Sequence, residues 1–320
     1  MRRPPGHPIS RSEFHADVCA GLGKAGQKEL YSKYFYDDLG TALFEAITLL
    51  PEYGLTRADM RLLQSHALDL AAYASNVSVV VELGSGSGEK AREILPAITE
   101  SRPVSYCPID LSRAALDRCQ RDLDHIRNLT IVPIEDSYLA GLAAASKLRK
   151  PGTAILVLFL GSSIGNFEPE VSERFIGQVG ESLIREDRFL LSTDLVKPLA
   201  QMVPAYDDPI GLTAAFNLNL LARINRELSG DFNLKTFDHE ARYNEIEQRV
   251  EMHLRSNIDQ TVCIQDFSVS LRRGETIWTE SSYKFRSEQV RAMSQRAGFR
   301  VEVQWSDSVW PFAQTVLSVT

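Results

Sequence analysis

Glu82 closes the apolar run Val79–Val81 and is followed, at alternate positions, by Gly84, Gly86 and Gly88. A β-branched run ending in glycines reads as a buried strand that delivers its backbone to a nucleotide-like ligand at the start of a helix. Glycine permits the tight turn and lets a ligand approach the main chain. The spacing, E-x-G-x-G-x-G, departs from the dinucleotide fingerprint GxGxxG. Asp110 ends a second run, Ser105–Leu111, where a carboxylate can accept two hydroxyl hydrogen bonds from a ribose. Asp136 ends a third, Leu129–Asp136, and can accept from an adenine amino group. Taken singly, each acid also reads as a solvated strand end. The three in this order point to a nucleoside-bearing cofactor.

The glycine spacing resembles that of enzymes that bind S-adenosylmethionine (SAM). Two further segments carry polar groups where a strand should simply end. Leu160–Pro169 (LGSSIGNFEP) places Asn166 at the carboxyl end of a fourth strand, with donors and an acceptor for an amino acid's ammonium or carboxylate. The same residues also read as a Gly-Asn turn. In Thr279–Phe285 (TESSYKF) alternate residues share a face, which puts Glu280 beside Ser282. A carboxylate beside a hydroxyl can hold a heteroaromatic N–H, and the same pattern suits an ordinary exposed strand face. Tyr36, Tyr53 and Tyr206 stand open in the same way, since tyrosine also fills core edges.

These residues need a scaffold, and its rhythm is visible. Strand and helix patterns alternate from about Asp59 to Lys197: a helix over Arg61–Ser75, strands at Val79–Leu83, Ser105–Leu111, Leu129–Ile134, Thr153–Leu160 and Arg188–Asp194, and helices at Glu89–Thr99, Arg113–Ile126, Leu139–Lys150 and Pro169–Ile184. Such alternation means a parallel sheet with helices on both faces. Gly211–Leu228 reads as a long helix with Leu212, Ala215, Phe216, Leu220 and Ile224 on one side. Gln248–His253, Val262–Leu271 and Ser281–Phe285 read as strands of a mixed or antiparallel sheet. The expected fold class is α/β: a Rossmann-like core over 57–196, which the glycine spacing likens to a SAM-dependent methyltransferase core, with an appended α+β substrate-binding domain from 1–56 and 197–320. Pro4, Pro5 and Pro8 predict a flexible start.

The chain has 320 residues, 44% hydrophobic and 24% charged, as expected of a soluble globular protein. A net charge of −7 argues against a nucleic-acid partner. The longest apolar run, Ala154–Leu160, falls well short of the roughly 20 residues a membrane span requires. Cys19, Cys107, Cys119 and Cys263 show no paired spacing and read as free thiols, and the histidines show no metal-ligand spacing. The expectation is a cytoplasmic monomer with no metal, no membrane contact and a small-molecule substrate.

Seven blocks carry a wider resemblance: Phe35–Arg57, Val81–Lys90, Gly161–Phe167, Ser192–Lys197, Ala205–Phe232, Arg249–Arg255 and Thr279–Arg286. In that order they resemble the histidine Nα-methyltransferases of ergothioneine biosynthesis over nearly the whole chain from about residue 30. The resemblance implies SAM-dependent trimethylation of the α-amine of L-histidine to hercynine; the alternatives are the same chemistry on another amino acid such as tryptophan, or a catalytically inactive SAM-binding regulatory protein. It implies that Asn166 and Tyr206 hold the amino acid's carboxylate and amine with Tyr53 near the amine, as the catalytic group. Glu280 and Ser282 would meet the imidazole, Met252 would line its pocket, and Phe44 would close it near the methyl group. Tyr36, Gly84, Lys90, Asp110 and Asp136 match cofactor-side positions, joined by Glu82 and Gly86 of the loop and by Ser137. Gly54, Leu55, Ser163 and Ser137 depart from what relatives commonly carry there.

Overall fold

The computed structural model describes residues 10–320 and divides into two compact units. One comprises Leu55–Val196 and Phe285–Thr320; the other comprises the N-terminal segment up to Gly54 and Lys197–Lys284.

The first unit is built on an eight-stranded sheet. Its order runs Phe299–Asp307, Phe312–Val319, Arg188–Asp194, Ala154–Phe159, Val77–Leu83, Val104–Asp110, Leu129–Ile131, and Ile134–Glu135 also pairs with Val104–Asp110. From Arg188–Asp194 to the Leu129 edge the pairing is parallel; the last two strands of the chain add antiparallel. The two central strands are buried along their whole length, as parallel strands covered on both faces must be. Val79, Val81, Leu83, Ile155, Val157 and Phe159 pack on one face, and Val80, Leu156 and Leu158 on the other. Chain order reverses between Val77–Leu83 and Ala154–Phe159. The carboxyl ends of strands at such a reversal form the ligand crevice of an open α/β sheet.

Residues 285–320 therefore belong to this unit, whereas the sequence reading gave them to the flanking domain. The reason is hydrogen bonding: Phe312–Val319 pairs with Arg188–Asp194 over six residues, covering what would otherwise be an open sheet edge. Other boundaries shift for local reasons. The helix expected over Glu89–Thr99 is a 3₁₀ turn, Ala91–Glu93, followed by a short helix, Leu95–Thr99. Pro96 lacks an N–H and restarts the helix at its first turn. Pro133 likewise divides the third strand into Leu129–Ile131 and Ile134–Glu135. The helix expected over Arg61–Ser75 breaks at His66 into Gly54–Ser65 and Ala67–Tyr73.

In the second unit a four-stranded sheet runs Lys28–Glu29, Thr276–Tyr283, Arg249–Ser256, Phe237–Asn244. The strand expected over Val262–Leu271 is a separate hairpin, Gln260–Ile264 and Phe267–Leu271. It turns at Gln265–Asp266, with Gln265 at φ 54°. The long helix is Leu212–Leu228 and buries Thr213, Phe216, Asn217, Leu220, Leu221 and Ile224. Ala215, expected on the buried side, is exposed, because two residues of helix rotate it about 200° from Asn217. Asp208 caps this helix, accepting from the backbone N–H of Leu212 at 2.9 Å and of Thr213 at 2.6 Å. Arg11–Leu22 forms a helix capped by Ser10 and buries Phe14, Val18 and Leu22. Pro4, Pro5 and Pro8 lie outside the described residues.

Candidate functional site

In the first unit the glycine loop leaves its strand at the order reversal. Gly84, Gly86 and Gly88 all have positive φ, at 73°, 53° and 73°. They are not equivalent. A Cβ on Gly88 would lie 2.6 Å from Cys119 Sγ, so that glycine serves packing. A Cβ on Gly86 would meet nothing within 4 Å, which leaves its backbone open to a ligand. Asp110 is tied to the loop: Oδ2 accepts the Gly86 N–H at 3.0 Å and Oδ1 the Ser112 N–H at 2.9 Å. Each oxygen keeps a lone pair, which suits two ribose hydroxyls. Glu82 is buried and accepts the Tyr106 hydroxyl. Burial pushes its carboxyl up to about 7, against the Tyr106 hydrogen bond and the charge of Lys90. Asp136 accepts its neighbour's N–H, from Ser137, at 2.7 Å; Ser137 Oγ caps the helix Tyr138–Ser146 by accepting from Ala140.

The loop after Ala154–Phe159 lies at the same sheet edge. It carries Gly161 at φ 74°, Ser162 at φ 59° and the 3₁₀ turn Ser163–Asn166. Asp59, fully buried and absent from the sequence-based candidates, organises this region. It accepts the Gly161 N–H at 2.7 Å, the Ser192 hydroxyl at 2.7 Å and Gln314 Nε2 at 2.6 Å, and lies 3.5 Å from Lys90 Nζ. Four partners far apart in sequence thus fix one carboxylate, and the carboxylate fixes the loop that bears Asn166.

The remaining candidates, except Asn166, fall in the second unit. A β-bulge decides their direction. Trp278 pairs with His253, but Glu280, not Thr279, pairs with Met252. The extra residue turns Glu280 to the Met252 face, while Trp278 stays with His253 on the other, their rings stacked at 6.3 Å. Thr279 Oγ1 donates to Met252 O at 3.0 Å within the bulge. Past it, Glu280, Ser282 and Lys284 follow at alternate positions and share that face. Burial pushes the Glu280 carboxyl up to about 7, and the charge of Lys284 pulls the other way.

Tyr206 joins this face through its hydroxyl, 2.8 Å from Ser282 Oγ and 2.6 Å from Lys284 Nζ. Its backbone is held as well. The Asn217 amide nitrogen lies 2.9 Å from His239 Nδ1, and an amide nitrogen only donates, so His239 carries its proton on Nε2 and donates to Tyr206 O at 2.7 Å. An aromatic row continues from Tyr206: Tyr53 at 6.4 Å, Phe44 at 6.1 Å from Tyr53, and Tyr36 at 5.8 Å from Phe44, each edge to face. Phe216 of the long helix lies 6.0 Å from both Phe44 and Tyr36. Tyr36, at 45% exposed, is the open end of the row.

Within the second unit the fold thus brings together Tyr36, Phe44, Tyr53, Tyr206, Met252, Glu280 and Ser282. Within the first it brings together Glu82, Gly84, Gly86, Lys90 and Asp110. Lys284, His239, Asn217 and Asp59 were missed. Lys284 follows Glu280 and Ser282 at the same alternate spacing, so that signal was in the sequence; the other three carry none, because their partners are distant in the chain. Acids at Glu82 and Asp110, a cation at Lys90 and an open glycine suit a ligand bearing hydroxyls, a carboxylate and a positive centre, so the residues fit SAM. Among the described residues no cluster of histidine, cysteine, aspartate and glutamate could hold a metal ion, and no helix is long and apolar enough to cross a membrane.

Comparison with known proteins gives consistent results. A family model described as histidine-specific methyltransferase, SAM-dependent, matches residues 14–319. The histidine N-alpha-methyltransferase of Mycolicibacterium smegmatis is 40% identical over 92% of this chain and 92% of its own length. That of Mycobacterium tuberculosis is 37% identical over 96% and 95%. Ergothioneine biosynthesis protein 1 of Neurospora crassa is 28% identical over 88% of this chain, which spans 32% of that longer protein.

Proposed function

The chain belongs to the histidine-specific, SAM-dependent methyltransferases, and on that premise we propose that it transfers three methyl groups to the α-amine of L-histidine, giving hercynine for ergothioneine biosynthesis. The observation that carries the choice of histidine is the face shared by Glu280, Ser282 and Met252, with Tyr206 bonded to Ser282. A carboxylate accepts an imidazole N–H, and a methionine side chain packs on the flat of a ring.

SAM, when bound, supplies a sulfonium methyl that is electrophilic without a metal or a covalent intermediate. Asp110 would hold the ribose, Asp136 the adenine, and Glu82, Gly84, Gly86, Lys90, Ser137 and Tyr36 the rest of the cofactor. The protein's own task is alignment and deprotonation. The α-amine must arrive with a free lone pair, and a wall of aromatic rings lowers an amine's pKa by desolvation. The same wall suits the product. As N–H bonds are replaced, the amine loses its hydrogen bonds and gains a permanent charge, which the faces of Tyr36, Phe44, Tyr53 and Tyr206 attract. Through all three rounds Asn166 would hold the carboxylate and Glu280 and Ser282 the ring, while Tyr206 would accept an amine N–H for as long as one remains. Asn166, Tyr53 and Tyr206 are the proposed catalytic residues, since they would touch the reacting end of the substrate. We place the reaction in the cytoplasm and assign it to a monomer; the unpaired thiols of Cys19, Cys107, Cys119 and Cys263 fit a reducing compartment.

Calorimetry on Glu280→Ala tests the ring assignment. Histidine affinity should fall by roughly 10–100-fold, the cost of losing one charged hydrogen bond, with SAM affinity unchanged. Equal losses for both ligands would remove Glu280 from the substrate site.

A further inference from the structure

Lys284 is a charged side chain left only 2% exposed. Burying an ammonium is costly unless its protons are well received. Nζ donates to the Tyr206 hydroxyl at 2.6 Å and to Ser282 Oγ at 2.8 Å, and it lies 4.6 Å from the centre of the Tyr206 ring. The two hydroxyl oxygens are themselves 2.8 Å apart, so the three groups form a closed triangle.

The chemistry of the corners fixes the direction of these bonds. An ammonium has no lone pair, so both oxygens must accept from Lys284. A phenol O–H is the better donor and an alcohol oxygen the better acceptor, which orients the third side from Tyr206 to Ser282. Ser282 Oγ then has both lone pairs taken, by Lys284 and by Tyr206. All it has left to offer is its proton. On the same face Glu280 offers an acceptor. A neutral imidazole carries one N–H donor and one bare nitrogen acceptor, the complement of that pair.

We propose that Lys284 is a specificity-determining positioning residue: by filling acceptor sites on Tyr206 and Ser282 it holds the Ser282 hydroxyl as a donor, so that the face reads both nitrogens of a neutral imidazole. The proposal rests on the histidine reading above and goes beyond it by saying what selects against rings with an N–H alone, such as indole or pyrrole. With Lys284 gone, Ser282 regains a lone pair and can turn either way, and the distinction is lost.

The test compares L-histidine with a pyrrolylalanine that keeps one ring N–H and carries C–H in place of the second nitrogen. The wild-type protein should favour histidine by at least about 100-fold in kcat/KM, since the analogue leaves a buried hydroxyl unpaired. In Lys284→Met the preference should shrink to within about tenfold, with the histidine loss mainly in KM and the SAM Kd unchanged. Ser282→Ala should give the same narrowing, and it carries the test alone if Lys284→Met fails to fold. An unchanged preference in either variant, whatever the fall in overall rate, would assign Lys284 to structure only. Absence of any histidine turnover by the wild-type protein would instead overturn the histidine reading, and this proposal with it.

Discussion

At the proposed substrate face, Glu280 would set the pH dependence. Its carboxyl, pushed up to about 7 by burial and pulled down by Lys284, must be ionised to accept a proton-bearing nitrogen from the substrate. As pH falls through about 7 the carboxyl takes up a proton, and histidine must displace it to bind. Histidine affinity should therefore decline below that pH, joined by protonation of the imidazole itself near about 6.5. Glu280→Gln removes the first limb: histidine KM should rise by about tenfold at pH 8, and its pH profile should follow the substrate's own titration alone. A variant profile superimposable on the wild type would mean that another group titrates there. At this scale much was legible. Strand alternation was enough to pair Glu280 with Ser282, but the bulge at Thr279 that turns both toward Met252 depends on the partner strand and leaves no local mark. Asp59 was illegible for a like reason, since it sits mid-helix and its partners are at Lys90, Gly161, Ser192 and Gln314.

Among the elements, the loop after Ala154–Phe159 makes a sharp demand on backbone shape. Gly161 has φ 74°, and a Cβ there would stand 2.6 Å from Lys90 Nζ. Gly161→Ala should cost about 1–2 kcal/mol in backbone strain and push Lys90 away from Asp59. A calorimetric SAM affinity should then fall by roughly 10–100-fold, as for loss of one charged contact; unchanged affinity would separate this loop from the cofactor. The long helix Leu212–Leu228 offers an independent case at its N-terminus, where Asp208 receives the N–H groups of Leu212 and Thr213. Burial raises the Asp208 carboxyl, but hydrogen bonds from Thr213, Leu212 and Gly211 outweigh it and hold the group below the usual carboxylate range. A depressed pKa adds stability that is complete above the ordinary value, about 3.9, and is lost as pH falls through the lower folded value. Asp208→Ala should cost about 1 kcal/mol at pH 7, read as a lower Tm, and the gap from wild type should close as pH drops below about 4. A gap independent of pH would assign the loss to packing. Strand and helix identities were largely legible from apolar periodicity. Of their interruptions, those at Pro96 and Pro133 carry a visible signal in the missing N–H, whereas the turn at Gln265 carries none.

For the whole molecule, the sequence carries the alternating core plainly and misplaces its end. Residues 285–320 follow directly on the strand Thr276–Tyr283, so their rhythm alone attaches them to that flank. They join the central sheet because Phe312–Val319 finds its hydrogen bonds on Arg188–Asp194, a pairing across more than a hundred residues that no local pattern announces. Function was more legible than topology, since seven motif blocks outline both the glycine loop and the polar strand face. Purified protein would be incubated with SAM and, separately, L-histidine, L-tryptophan and L-tyrosine, and the products weighed by mass spectrometry. Three added methyl groups on histidine, and none on the other two, is the predicted result; methylation of tryptophan or tyrosine with histidine left untouched would contradict it.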